Sequence, residues 1–201
     1  MPALSTPYRV MYRLGFKPWD NGQIPDPVRE VVEGPEAMPP GRALDLGYGT
    51  GTQSVYLGQH GWDVTGIDLV SRPLEEAQRK SMAAGVHPKF LTGDITELQH
   101  LQIGAGYSVI LDVACFHGLP AGKRQRTADQ ITQVADAGAV FLMFGFVPGH
   151  RGPLPSGIDS EEITHLFGSS WDLVWQREST EVALRGPLRN ARPTGYFLRK
   201  R

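Results

Sequence analysis

Three aspartates close predicted strands beside a glycine-rich turn, and their types and spacing point to a ligand site. In RALDLGYGTG, Asp45 lies inside the end of an apolar, strand-like run, and Gly47, Gly49 and Gly51 follow at alternating positions. Glycines in a strand-to-helix turn let the backbone approach a ligand, and the helix that follows presents free N–H groups. The carboxylate repels a pyrophosphate, so it favours a ligand with an ammonium or sulfonium cation.

The other two acids extend this site. Asp68 lies 21 residues after Gly47, at the tip of the second predicted strand, where an acidic side chain typically holds a ribose diol. Asp94 ends the third predicted strand and is placed to accept a hydrogen bond from a purine amine. The dinucleotide motif G-x-G-x-x-G is excluded because position 52 is threonine. Together the three acids suit a nucleoside with a cationic amino-acid tail.

Alternating strand-like and helix-like segments predict the parallel sheet that positions these acids. The strands are ALDL, DVTGID, PKFLTGD, YSVILDV and AVFLMFGF, and the last of these is apolar enough to be buried on both faces. Gly61 and Gly85 are predicted to end the first two helices, and Ser71 to cap the second. Asp159 and Glu162 are spaced as a capping box for a later helix, and two final strand-like runs predict a hairpin.

Composition limits the class of protein. The chain has 201 residues, 40% of them hydrophobic, which is enough for one well-buried core. Twenty basic and twenty-one acidic residues give a formal charge of −1, so no positive field favours nucleic acid or anionic lipid. The single cysteine excludes an internal disulfide, and no run approaches the ~18 apolar residues of a membrane span. We expect a cytoplasmic protein with no metal and with neither nucleic acid nor membrane as a partner.

On these motifs the chain resembles the class I S-adenosylmethionine-dependent methyltransferases. LDLGYGTG matches their glycine motif, VTGIDL the ribose motif, GDI the adenine motif and YSVILDVACFHGL their fourth strand. The resemblance implies a doubly wound, Rossmann-like α/β fold whose seven-stranded sheet has the order 3-2-1-4-5-7-6, with strand 7 antiparallel and helices on its flanks. It also implies S-adenosyl-L-methionine as the cofactor and S-adenosyl-L-homocysteine as the product.

The same resemblance implies the residues that bind the cofactor. Asp45 and the glycine turn would hold the methionyl part, Asp68 the ribose hydroxyls, and Asp94 with Ile95 the adenine. The implied set is Trp19, Asp45, Gly47, Gly49, Thr50, Gly51, Asp68, Leu69, Asp94, Ile95 and Asp112.

A narrower resemblance is to the small-molecule branch related to the tellurite-resistance and thiopurine methyltransferases. KPWDNGQIP, CFHGLP and GPLPSGIDSEEITHLF carry it. The length and the order of segments predict a single domain, in which residues 1–40 form a helical lid, 41–145 the cofactor-binding core, and 146–201 the acceptor loop and C-terminal hairpin. In overall look and size the chain is also similar to the sugar 1-O-methyltransferases of methylmannose polysaccharide synthesis.

Transfer to a hydroxyl requires a general base within ~3 Å of that hydroxyl. His117, five residues past Asp112, is the first candidate because a free imidazole, of pKa about 6.5, is mostly neutral at cytoplasmic pH. The alternative is that His117 caps the next helix or lines a pocket wall. Asp20 is the second candidate base, although a carboxylate in its setting also forms turns. Trp19 is a candidate lid residue, with ordinary core packing as the alternative.

Three further residues are candidates for contact with the acceptor, and surface positions are the alternative for each. They are His150, Arg151 and Arg192. The sequence thus predicts O-methylation of a small hydroxylated molecule, with a sugar or oligosaccharide as the first choice and in-line displacement as the mechanism. Thiol or metalloid S-methylation and phenol or quinol O-methylation are the alternatives. A nicotinamide oxidoreductase and a cofactor sensor without turnover are the rival classes, and either a monomer or a homodimer is compatible with the sequence.

Overall fold

Seven strands run through the part of the chain that the computed structural model describes, namely Val10 and residues 22–149, 156–178 and 192–201. They form one sheet of order 3-2-1-4-5-7-6. The seventh strand is antiparallel to both of its neighbours. The predicted order and the predicted direction of the last strand are therefore confirmed. The strands are β1 (Arg42–Leu46), β2 (Asp63–Asp68), β3 (Lys89–Thr92), β4 (Tyr107–Val113), β5 (Ala135–Phe146), β6 (Trp171–Glu178) and β7 (Pro193–Lys200).

The described helices connect these strands. They are α1 (Asp26–Glu33), α2 (Thr52–Gln59), α3 (Leu74–Ala84), α4 (Ala121–Val134) and α5 (Ser160–Phe167), with 3₁₀ segments at Ile95–His100 and Phe116–Gly118. None of the described helices combines the length and the apolar character needed to cross a membrane. The chain divides into two compact units, one ending at Ile103 and the other beginning at Gly104.

The first unit contains the parallel strands β1, β2 and β3. Asp45 pairs in register with Gly66, and Asp68 pairs with Thr92. Glycine is required at position 66 because the ring of Tyr48 occupies the adjacent space. A Cβ there would stand 3.0 Å from that ring. The carboxyl ends of the three strands therefore lie at one edge, as the positions of the predicted acids require.

The predicted helix ends in this unit are confirmed, but one predicted helix start is wrong. Gly61 and Gly85 have φ values of 82° and 68°, the left-handed conformation in which glycine commonly follows a helix. Helix α3, however, is preceded directly by Pro73 rather than capped by Ser71. Proline is already close to helical φ and has no N–H to satisfy, so the helix begins beside it without a side-chain cap.

In the second unit, β4 is parallel to β5, and β5, β7 and β6 are antiparallel neighbours. Strand β5 begins at Ala135, earlier than predicted, because the chain passes from α4 into extended backbone without a turn. Asp159 caps α5 as predicted, its side chain accepting a hydrogen bond from the Glu162 N–H at 2.9 Å. A cluster of aromatic side chains fills the core between the helices and β5: Phe116, Phe141, Phe167 and Trp171.

Candidate functional site

The turn between β1 and α2 is built from three left-handed glycines. Gly47, Gly49 and Gly51 have φ values of 79°, 51° and 79°, which residues with a Cβ rarely adopt. The Gly47 N–H donates to the Ile67 carbonyl at 2.7 Å, which ties the turn to β2. At Gly51 a Cβ would stand 2.8 Å from the Cβ of Ala77 on α3. Glycine is therefore required at Gly51 by packing as well as by backbone conformation.

Asp68, at the end of β2, fastens this turn from the other side. Its Oδ2 accepts the Gly49 N–H at 3.0 Å, and its Oδ1 accepts the Val70 N–H at 2.8 Å. Only 8% of the residue is exposed, and burial raises the pKa of its carboxyl. Each carboxylate oxygen can accept more than one hydrogen bond, so both retain capacity for hydroxyl donors.

Asp45, near the end of β1, is a buried acid held by hydrogen bonds from Ser54. The Ser54 hydroxyl donates to Asp45 Oδ2 at 2.6 Å, and 2% of the residue is exposed. Burial, together with the negative charge of Asp68, raises the pKa of the Asp45 carboxyl to about 6 despite the hydrogen bond from Ser54. A cation placed beside Asp45 would favour its ionised form, which is the property expected of a site for a charged methionyl group.

This pKa predicts how stability depends on pH. Below pH 3.8 Asp45 is protonated in both states; between 3.8 and about 6 the folded protein keeps a proton that the unfolded chain has lost. The stability that Asp45 contributes is therefore full at low pH and is lost as the pH rises through about 6. We expect wild type to lose on the order of 2 kcal/mol relative to Asp45→Asn over this range. Urea denaturation of both proteins at pH 4 to 7 measures the difference, and parallel curves would contradict the assignment.

Asp94 follows β3 and begins the 3₁₀ segment. Its Oδ1 accepts the Thr96 N–H at 2.9 Å, while the Gly93 N–H donates to the Asp68 carbonyl at 2.8 Å. Ile95 is buried. Three of the predicted acids thus lie within the first unit at the ends of adjacent strands, as the sequence predicted.

Lys80, on α3, contacts this turn and was not among the residues predicted from the sequence. Its Nζ reaches from α3 to donate to the hydroxyls of Thr50 at 2.6 Å and Thr52 at 3.0 Å. Thr50, predicted to contact the cofactor, is 3% exposed. A lysine on a helical segment reads as a solvated residue, and the sequence carried no signal that its partners lie on the glycine turn.

In the second unit, Asp112 organises the turn after β4. It is fully buried, and its two oxygens accept the N–H groups of Cys115 at 3.2 Å and Phe116 at 2.7 Å. Ala114, in the same turn, has the left-handed φ of 64° that a residue with a Cβ seldom adopts. The described contacts of Asp112 thus stabilise a turn, and its predicted contact with the cofactor stays a prediction.

His117 connects that turn to the end of β5. It is 1% exposed, its ring stacks on Phe146 with centroids 5.1 Å apart, and its Nδ1 accepts the Phe146 N–H at 3.0 Å. An Nδ1 that accepts a hydrogen bond leaves the ring proton of neutral histidine on Nε2. In this tautomer the Nε2 of His117 is a hydrogen-bond donor. The predicted base role needs a proton-free Nε2, which would put the ring proton on Nδ1, where it would face the Phe146 N–H.

The remaining predicted residues are Leu69, which is half-buried directly after β2, one residue on the surface and four that the structure does not describe. Arg192 is exposed, and its Nη1 lies 3.4 Å from Glu178 Oε2 in a surface ion pair. Trp19, Asp20, His150 and Arg151 lie outside the described residues, so their roles stay predictions. Among the described residues, no group of three or more histidine, cysteine, aspartate or glutamate side chains is arranged to hold a metal ion.

Comparison with known sequences finds one matching family, described as "Methyltransferase domain", over residues 43–138. Among curated proteins, the chain is 30% identical over 118 residues to ribosomal RNA small subunit methyltransferase C of Alcanivorax borkumensis, covering 59% of this chain and 34% of that protein. It is 27% identical over 179 residues to an uncharacterised protein of Mycobacterium tuberculosis, covering 88% of this chain and 64% of that protein. The chain thus spans about a third of the length of the first relative and just under two thirds of the length of the second.

Comparison with solved structures finds the same fold in the Burkholderia thailandensis 1,6-didemethyltoxoflavin-N1-methyltransferase, which was crystallised with 1,6-didemethyltoxoflavin and S-adenosylhomocysteine. The TM-score is 0.77 at 21% identity, over 98% of this chain and 87% of that one. TehB from Haemophilus influenzae gives a TM-score of 0.74 at 18% identity, over 89% and 63% of the two chains.

Proposed function

We propose that the chain is a class I S-adenosylmethionine-dependent methyltransferase that transfers a methyl group from this cofactor to a small-molecule acceptor. One observation carries the proposal: the buried acids Asp45 and Asp68 flank a turn made of left-handed glycines at the ends of β1 and β2. A nucleoside with a cationic tail satisfies both acids. Asp45 has no evident use in a protein that binds a pyrophosphate, because its carboxylate would repel the phosphates.

The donor set of the first unit fits this cofactor part by part. Asp45 favours the positive methionyl group, the oxygens of Asp68 accept the ribose hydroxyls, and Asp94 accepts the adenine amine. The glycine turn leaves its backbone open to a ligand because it carries no side chains beyond those of Tyr48 and Thr50. When bound, the cofactor supplies a methyl group already activated on a sulfonium. The chain then has to bind it, align the acceptor and exclude water.

For the acceptor we propose a hydroxyl of a small molecule, with sugars as the first class to test. The formal charge of −1 disfavours RNA, although the relative from Alcanivorax borkumensis is named as a ribosomal RNA methyltransferase. A ring nitrogen is the strongest competing acceptor, since it is the position named for the enzyme from Burkholderia thailandensis. Thiols and metalloids remain the third class.

For the proton of a hydroxyl acceptor, we propose Asp20 as the base and His117 as a positioning residue. The hydrogen bond from the Phe146 N–H to His117 Nδ1 supports this division because the tautomer it selects cannot accept a proton at Nε2. His117 then keeps the end of β5 in register with the turn after β4.

A matched pair of variants separates these two roles of His117. Asparagine can accept the Phe146 N–H as Nδ1 does, whereas leucine leaves that buried donor unpaired at a cost of about 1 to 3 kcal/mol. We expect His117→Asn to keep activity within about fivefold of wild type and His117→Leu to lose at least about twentyfold. The measurement is kcat/KM from pH 5 to 9. Equal, near-complete loss in both variants, with disappearance of the fall in kcat/KM at acidic pH, would return the base role to His117.

The experiment that tests the function is transfer of labelled methyl from S-adenosylmethionine to mannosides, phenols, thiols and heteroaromatic amines, run beside calorimetric titration of S-adenosylhomocysteine and of NADH. Binding of S-adenosylhomocysteine, together with transfer of label to one class of acceptor, supports the proposal and identifies the acceptor class. Binding of NADH alone would overturn it. Tight binding of the cofactor without transfer to any acceptor would favour a sensor.

A further inference from the structure

Arg124 on α4 is a buried cation that ties together separate pieces of the second unit. Its side chain is 4% exposed, and its Nη1 pairs with Glu162 Oε2 at 2.7 Å. Its Nε donates to the Leu119 carbonyl at 3.0 Å. Its Nη2 donates to the carbonyls of His117 at 2.8 Å and Gly157 at 3.0 Å. One guanidinium thus joins the turn after β4, helix α5 and the segment that leads into α5.

The described ends of the connection between β5 and α5 are also fastened to each other. The Ile158 N–H donates to the Phe146 carbonyl, and the Gly149 N–H donates to the Ser156 carbonyl, both at 2.9 Å. Gly157, with φ of 88°, packs so closely that a Cβ would stand 2.4 Å from the Val147 carbonyl oxygen. The two ends therefore meet as a clasp at the end of β5, which we call the β5 clasp: residues 146–149 and 156–158.

His117 lies between Arg124 and the β5 clasp and is held at two points. Its carbonyl accepts from Arg124, and its ring accepts the N–H of Phe146, the first residue of the clasp. Gly145 leaves the ring room, since a Cβ there would stand 2.5 Å from Nδ1. Displacing Arg124 would therefore release the backbone of His117 and the clasp together.

Stability is a weak reason for a buried arginine in this place. A buried ion pair seldom adds net stability over apolar side chains of the same volume, because both charges lose their hydration. A guanidinium does provide a planar fork of donors that can hold several carbonyls in fixed relative positions. The Nε and Nη2 donors of Arg124 are directed at backbone carbonyls of two separate segments. The planar shape of the guanidinium explains this arrangement better than its charge does.

We propose that Arg124 is a positioning residue for the acceptor side of the reaction. It holds the turn after β4, with His117, and the β5 clasp as one rigid body. The link to catalysis rests on the proposed function, in which the loop after β5 serves the acceptor. The mechanical part stands on the hydrogen bonds alone, and the two parts are tested separately.

Hydrogen exchange tests the mechanical part without any substrate. In Arg124→Lys the ammonium cannot reproduce the planar fork, so the amides of Phe146, Gly149 and Ile158 are expected to exchange at least about tenfold faster. Amides of residues 43–68, in the first unit, should exchange as in wild type. Arg126→Lys, a change at an exposed position of the same helix, is the matched control and should alter neither set.

Two results would overturn the mechanical part: unchanged exchange in the β5 clasp, or an equal rise over the whole chain, which would mean general destabilisation. If Arg124→Lys does not fold, Glu162→Gln serves instead, because it removes the charged partner that fixes Nη1 of Arg124. The same three amides should exchange faster, and unchanged exchange would overturn the mechanical part.

The catalytic part is tested with the acceptor that takes most label in the panel above. Arg124→Lys is expected to lower kcat/KM for that acceptor at least about tenfold while leaving the Kd for S-adenosylhomocysteine within about twofold. An equal loss of cofactor affinity, or unchanged kcat/KM, would overturn the positioning role. If no acceptor in the panel takes label, the proposed function fails by itself, and the exchange result still decides whether Arg124 holds the two segments together.

Discussion

Replacing Asp68 by asparagine is expected to weaken the binding of S-adenosylhomocysteine by about a hundredfold. The carboxylate accepts the N–H groups of Gly49 and Val70, and we propose that it also accepts the ribose hydroxyls. Asparagine has one acceptor oxygen in place of two, and its NH₂ group would face a backbone N–H. Each lost charge-assisted hydrogen bond is worth about 1.5 to 3 kcal/mol. Isothermal titration calorimetry at pH 7.5 measures the change.

Asp63→Asn is the control for that substitution. Asp63 begins the same strand, and its exposed carboxylate lies 3.7 Å from Arg42 in a surface pair. Such a pair contributes little, so cofactor affinity should stay within about twofold. If Asp68→Asn binds within threefold of wild type, or if both variants lose affinity equally, the cofactor site at the end of β2 is wrong.

Replacing Gly51 by alanine is expected to destabilise the protein by about 3 to 4 kcal/mol and to abolish detectable cofactor binding. Two costs combine there. The φ of 79° strains any residue with a Cβ, and the new Cβ would stand 2.8 Å from that of Ala77. The turn can relieve the contact only by moving away from α3, which displaces the backbone that we propose holds the methionyl part of the cofactor. Urea denaturation and calorimetry measure the two effects.

Gly85→Ala isolates the backbone cost. Gly85 also has a left-handed φ, of 68°, but nothing lies within 4 Å of the position its Cβ would take. We expect a loss of about 1 kcal/mol and normal cofactor affinity. Ala77→Gly in the Gly51→Ala background should recover part of the stability, because it removes the atom that the new Cβ meets. Equal losses in Gly51→Ala and Gly85→Ala would show that the crowding against α3 is not real.

Several features of this protein were determined by the sequence alone, because their causes are local. Left-handed glycines after helices and the capping aspartate of α5 act within a few residues, and each was predicted where the structure has it. Parallel strands place their carboxyl ends at one edge, so the positions of Asp45, Asp68 and Asp94 followed from the strand assignments.

Other features were decided by the tertiary structure because the interacting groups are far apart in the chain. Phe146, 29 residues beyond His117, selects the tautomer of that ring. Lys80 meets Thr50 across 30 residues, and Arg124 meets Gly157 across 33. In each case a side chain finds a hydroxyl or a backbone group whose position depends on how helices and strands pack. Every residue except proline offers the same backbone donor and acceptor, so no residue type or spacing in the sequence marks such a partner.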